Sequence, residues 1–134
     1  AAGNFIETTQ ETCYLQIGEA KYGKPILDRV VNFQTPLNLA TKCALISMDS
    51  TLKSNISVGL PLDLFVYRKN SFHAEKLVTI DEANPYFEMI HQLWGEKLKQ
   101  VFMEIEEPIW DAEQTMLSII SKPKKINPIP IVSK

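Results

Sequence analysis

Gly18-Glu19-Ala20-Lys21-Tyr22-Gly23-Lys24-Pro25-Ile26-Leu27-Asp28-Arg29 is the stretch on which the fold turns. It marks the passage from a strand to a helix. Ahead of it, Tyr14-Leu15-Gln16-Ile17 reads as a strand. Pro25 stands where a helix accepts proline, in the first turn, because the missing N–H has no intrahelical partner there anyway. Gly18 and Gly23 let the backbone turn sharply between the two elements. Ile26, Leu27, Val30 and Val31 then recur at helical spacing, which predicts a helix over residues 25–33.

On the N-terminal side, residues 5–8 are expected to pair with residues 14–17 as a hairpin. Gly3-Asn4 has the wording of a turn that should itself follow a strand, yet only Ala1 and Ala2 precede it. We therefore expect the sequence to come from the middle of something longer; residues replacing a short natural N-terminus are the alternative. On the C-terminal side, Gln34-Thr35-Pro36 breaks the first helix. Thr35 is a plausible N-cap for a second helix with Pro36 at its first position, running to about Thr51. Strands are expected at residues 56–58, 62–67 and 76–80, with residues 70–75 as a turn. A long helix follows from Pro85 to Glu106, its apolar residues (among them Phe87, Ile90, Trp94, Leu98 and Phe102) three and four apart, the spacing of a face packed as core. Pro123, Pro128 and Pro130 mark residues 107–134 as an extended tail, whose segment 124–132 could lie along a neighbouring subunit as an arm.

Composition limits what such a chain does. Its 134 residues make one ordinary domain, able to bury roughly two-thirds of its unfolded surface if it folds alone. A net charge of −2, from 14 basic and 16 acidic residues, is too mild for a nucleic-acid or acidic-membrane partner, either of which favours a clustered basic face. No apolar run has the roughly 20 residues that span a bilayer, and no signal segment opens the chain. Cys13 and Cys43 form neither a metal motif nor a disulfide framework, so they read as buried free thiols in a cytoplasmic protein. His73 lies in a polar turn and His91 on the polar side of the long helix, neither with a carboxylate or cysteine cluster around it; no metal or cofactor is expected.

Strand, strand, helix, helix, strand, strand, helix is an α+β order, with helices stacked on antiparallel strands. Helices on a single face leave the other face of the sheet bare. In isolation such a sheet exposes a large apolar patch unless a second sheet covers it.

This layout resembles the second half of a proteasome-type subunit, an N-terminal-nucleophile hydrolase with two sheets sandwiched between helix layers. The wording is closer still to a bacterial branch, the ancestral-beta-subunit (Anbu) family of proteasome-like proteins. Gly3-Asn4-Phe5-Ile6, Leu15-Gln16-Ile17-Gly18-Glu19, Lys21-Tyr22-Gly23-Lys24-Pro25-Ile26-Leu27-Asp28-Arg29 and Ser54-Asn55-Ile56-Ser57-Val58-Gly59 carry the resemblance. It covers about residues 3–106, which would then be the C-terminal half of a four-layer αββα sandwich, with residues 107–134 outside it.

The resemblance implies acyl transfer at a peptide bond. Such enzymes use their first residue, usually Thr, as nucleophile, and its free α-amine helps to take the hydroxyl proton. That residue, a lysine and the lysine's aspartate partner belong to the first half of the subunit, so this chain is expected to be inactive by itself. The second half supplies supporting groups. Asp49 matches the aspartate near the end of the second helix, and Ser54 the hydroxyl a few positions later, with Ser50 and Thr51 as rivals because the spacing is longer than usual. Glu19 stands where the loop after the second strand usually presents a serine.

Each of the three has a plainer reading. Asp49 sits near a helix end, Ser54 suits a local backbone cap, and Glu19 has Lys21 and Lys24 within salt-bridge reach. Implied partners are further copies of the chain, or the missing half, and a peptide or unfolded-protein substrate in a self-compartmentalised or open ring. The alternative is a non-catalytic assembly subunit of the same fold.

Overall fold

The computed structural model describes residue 3, residues 5–18 and residues 21–109. The chain divides into two compact units, Ala1–Lys99 and Gln100–Lys134. The first holds α1 (Lys24–Val30), α2 (Leu37–Ser54), β1 (Leu62–Tyr67), β2 (Ala74–Ile80) and most of α3 (Pro85–Glu104). In the second, Gln100 Nε2 donates to Glu104 Oε1 at 2.9 Å along the last turn of α3. Among the described residues, three helices with one antiparallel strand pair make the α+β architecture expected from the element order.

Local chemistry fixes the helix ends. Pro25 lies in the first turn of α1 as expected, but the helix stops at Val30 rather than residue 33. Val31 is extended, and the next N–H groups go to side chains: Asn32 donates to Thr35 Oγ1 and Gln34 donates to Asn32 Oδ1, both at 2.9 Å. Thr35 thus closes this connecting turn instead of capping α2. The residue at the N-cap of α2 is Pro36, which offers no side-chain acceptor, and the helix runs to Ser54, beyond the expected Thr51. Asn84 caps α3 by accepting from the Phe87 N–H at 3.0 Å.

Three expected strands do not form. Residues 5–8 and 14–17 make no ladder, although a turn closes between them with the Thr9 N–H on the Thr12 carbonyl at 2.9 Å. A two-stranded hairpin with no sheet beside it is marginal in water, and Phe5 and Ile17 are fully exposed. Tyr14 is drawn to α1 instead. Residues 56–58 form a turn in which Asn55 Oδ1 accepts the Ser57 N–H at 3.0 Å, the donor a strand ladder would need.

α2 packs on both sides. Cys43, Ser47 and Thr51, four residues apart, face α1. Leu45 joins Ile80, Phe87 and Ile90 in the core, with Leu52, Leu60, Leu62 and Leu64 packed against it. Burying Phe87 alone contributes about 1.5–3 kcal/mol. Beyond Ile90 the stripe of α3 is not core: Leu93, Leu98, Val101 and Phe102 are exposed. The buried residues of α3, Phe87 and Ile90, belong to its first turns, where it meets Leu45 and Ile80; the later stripe is left without apolar cover among the described residues.

The hairpin pairs Leu62 with Ile80, Leu64 with Val78 and Phe65 with Leu77, and its register shifts between Val66 and Tyr67. Arg68 and Glu75 clamp its turn end through two hydrogen bonds of 3.1 Å. Because directly paired residues share a face, Leu62, Leu64 and Ile80 turn inward while Phe65, Tyr67 and Leu77 turn out. Phe65 is 62% and Leu77 73% exposed, and the Phe65 and Tyr67 rings stack 6.5 Å apart on this outer side. The bare sheet face expected from the element order is present.

Candidate functional site

The quoted stretch is anchored at three points. Gly18 has φ +91°, a conformation that disfavours any side chain. Gly23 is buried because α1 meets α2 there: a Cβ on it would lie 2.1 Å from Ser47 Oγ and 2.7 Å from the Ser47 carbonyl oxygen. Lys24 Nζ, finally, binds both Asp28 carboxylate oxygens at 2.7 Å and the Tyr14 hydroxyl at 3.2 Å, while that hydroxyl donates to Asp28. Cys13 Sγ lies 3.6 Å from the Val31 carbonyl, completing the tie between residues 13–14 and α1.

The tether titrates as a unit. The Lys24 ammonium, then the Tyr14 hydroxyl, holds the Asp28 carboxyl below its ordinary range. The Asp28 carboxylate, then Tyr14, raises Lys24. Burial first, and the hydrogen bond to Asp28 second, raises the Tyr14 phenol. A depressed carboxyl stabilises above its unfolded pKa, and that contribution is lost as pH falls through the folded value. A raised lysine stabilises below its unfolded pKa, and its contribution is lost as pH rises through the folded value. The tether is therefore closed across the neutral range and opens at both extremes. The Lys24 and Asp28 side chains are 44% and 48% exposed, so the tether's share of total stability is small. Asp28→Asn is expected to lower the Tyr14 titration midpoint, read by NMR of the ring carbons. An unchanged midpoint contradicts the assignment.

Asp49 lies on α2 in line with Leu45 and Leu52, and so points at α3. Its side chain is 7% exposed, and its Oδ1 lies 2.6 Å from Nδ1 of His91, whose side chain is 55% exposed. A buried carboxylate needs such a donor; without one it costs several kcal/mol. A cleft of about 580 Å³ opens beside the pair, with Asp49, Ser50, Lys53 and Ser54 from α2 and His91, Glu96 and Lys99 from α3 on its walls. A second, of about 500 Å³, shares Asp49, Lys53 and His91. Trp94 lines the first, and its buried Nε1–H has no partner among the described residues.

Asp49 and Ser54 thus come to one cleft, as does Ser50. Thr51 does not: it is on the α1 side, donating to the Ser47 carbonyl at 2.9 Å. Ser54 belongs to the last turn of α2 rather than to a link between helix and strand. Glu19 lies outside the described residues. His91, read from the sequence as lying on the polar side of the long helix, is the partner of Asp49. The signal for it in the sequence is its place four residues after the core residue Phe87, which puts it on the same side of α3. Among the described residues no three His, Cys, Asp or Glu side chains gather as a metal site requires. Cys43 is buried, which pushes its thiol above the ordinary value, and Cys13 is half-buried; both are free.

No helix of the described residues is long and apolar enough to cross a membrane. No family model matches the chain, and no curated protein matches it. Solved structures do. Anbu (ancestral beta-subunit) from Yersinia bercovieri is 56% identical, with a TM-score of 0.77, over 81% of this chain and 46% of that one. Anbu from Hyphomicrobium sp. strain MC1 is 46% identical, TM-score 0.75, over 79% of this chain and 46% of that one. The helical assembly of the Anbu complex from Pseudomonas aeruginosa gives 46% identity, TM-score 0.75, and coverage of 80% and 44%. The chain spans less than half the length of each. On this identity across about four-fifths of its residues, the chain belongs to the Anbu, or ancestral-beta-subunit, family of proteasome-like proteins.

Proposed function

We propose that this chain supplies the C-terminal half of a proteasome-like, threonine-type peptidase, the half that orients the nucleophile rather than the half that carries it. The observation that carries the reading is the open sheet face of Phe65, Tyr67 and Leu77 in a chain spanning 46% of its Yersinia relative. A second sheet from the remaining half closes on that face and completes an αββα sandwich.

The chemistry follows from the resemblance. The N-terminal hydroxyl gives its proton to its own α-amine and attacks the peptide carbonyl. The C–N bond then breaks, the amine returns the proton to the leaving group, and water releases the acyl group. Asp49 accepts a hydrogen bond from the amine and keeps it aligned, with Ser54 beside it. Glu19 contributes a carboxylate in the loop that usually presents a serine. No cofactor or metal takes part. The substrate is a peptide or an unfolded protein. The working form is a cytoplasmic homo-oligomer, a reading supported by the helical assembly of the Pseudomonas relative.

The test is hydrolysis of fluorogenic peptide amides by the intact protein and by a variant whose first residue is replaced by alanine. The proposal expects turnover that the variant loses. An intact protein that assembles but cleaves nothing overturns it in favour of a non-catalytic assembly subunit.

A further inference from the structure

We infer that His91 is a positioning residue for Asp49, fixing the carboxylate in the orientation the terminal amine requires. The inference rests on the proposed peptidase reading and adds a residue from α3 to the residues that α2 brings to the cleft. Asp49 is buried, and His91 is its one hydrogen-bond partner among the described residues, Nδ1–H to Oδ1 at 2.6 Å. That bond occupies one carboxylate oxygen and stops rotation of the group. The other oxygen remains available on a residue lining the larger cleft.

The imidazole is suited to this task. An Nδ1–H donor on a short side chain can hold one carboxylate oxygen in place. The ring is more than half exposed, so orienting Asp49 leaves its far nitrogen in solvent. His91 makes no hydrogen bond to Ser50 or Ser54, so a serine–histidine–aspartate arrangement is not present. The imidazole acts through Asp49 and does not itself touch the substrate.

The experiment uses the intact protein and three variants: His91→Leu, His91→Asn and Asp49→Asn. The amide of His91→Asn can donate to Asp49 from nearly the place of Nδ1. Peptide turnover and thermal midpoint are measured together, and the tautomer of His91 is read by ¹⁵N NMR. The expected results are a ring whose Nδ1 carries the proton shared with Asp49 and, in His91→Leu, a fall in kcat of about tenfold at nearly unchanged KM. His91→Asn should recover most of that loss, and His91→Leu should have no further effect on Asp49→Asn. If His91→Leu lowers only the thermal midpoint, with kcat per folded enzyme unchanged, the pair is a helix–helix latch and the inference fails while the peptidase reading stands. If Asp49→Asn keeps full activity, the supporting role of Asp49 fails, and the inference with it. Where His91→Leu does not fold, an His91→Asn variant with the full tenfold loss likewise overturns the inference.

Discussion

Replacing Gly23 by alanine is expected to destabilise the intact protein by about 1–3 kcal/mol, the cost of overpacking a closed contact. The backbone conformation of Gly23, with φ −97°, is open to any residue, so the whole penalty comes from space. A methyl group would stand 2.1 Å from Ser47 Oγ, 2.7 Å from the Ser47 carbonyl oxygen and 3.0 Å from Thr51 Oγ1. The serine hydroxyl can rotate away. The carbonyl cannot, because it belongs to α2 and also accepts from Thr51. The first helix must therefore back off the second. Ser47→Ala should recover only part of the loss, since it removes the hydroxyl and leaves the carbonyl in place. Urea denaturation of the single and double variants checks this. A Gly23→Ala midpoint equal to wild type, or full rescue by Ser47→Ala, contradicts the packing described.

Asp49→Asn is expected to lower kcat of the intact protein by about 10²-fold, with a thermal midpoint close to wild type. Asparagine keeps the acceptor oxygen for His91 and nearly the same volume, so the helix pair holds. What it removes is the negative charge that accepts from the amine. Asp49→Ala, by contrast, also strands the His91 N–H and leaves a small void, and should lose both activity and stability. Parallel kinetics and thermal melts of the two variants separate the effects. A fully active Asp49→Asn protein contradicts the role assigned to the carboxylate.

Some of this was legible in the sequence and some was not. The helix spacing of Ile26, Leu27, Val30 and Val31, the strand over residues 62–67 and the start of α3 at Pro85 were readable because each depends on local periodicity or proline chemistry. Asp49 and Ser54 line one cleft because α2 runs on to Ser54, past the end expected at Thr51. The expected strands around residues 5–8 and 14–17 were not realised, because their apolar wording is satisfied only by a neighbouring strand. Local acceptors decided the helix ends: Thr35 Oγ1 and Asn32 Oδ1 take the N–H groups that would have lengthened α1. The partnership of Asp49 with His91 joins residues 42 positions apart, and only the helical spacing of His91 from the core residue Phe87 hints at it. The place of Gly23 against Ser47 was hidden for the same reason, although a glycine before Lys24-Pro25 did signal a sharp entry into the helix.

In the intact protein the outer face of β1 and β2 is expected to be covered by the rest of the molecule. Single cysteines placed at Leu77 and at Phe72 in the intact protein, in a Cys13→Ser background, measure this through their rates of maleimide labelling. In this chain both positions are open, at 73% and 90% exposure. If a second sheet closes on the face, the thiol at position 77 reacts at least about tenfold more slowly than the one at position 72, because labelling must wait for local opening. Comparable rates at the two positions would contradict the claim that this chain is one half of a sandwich.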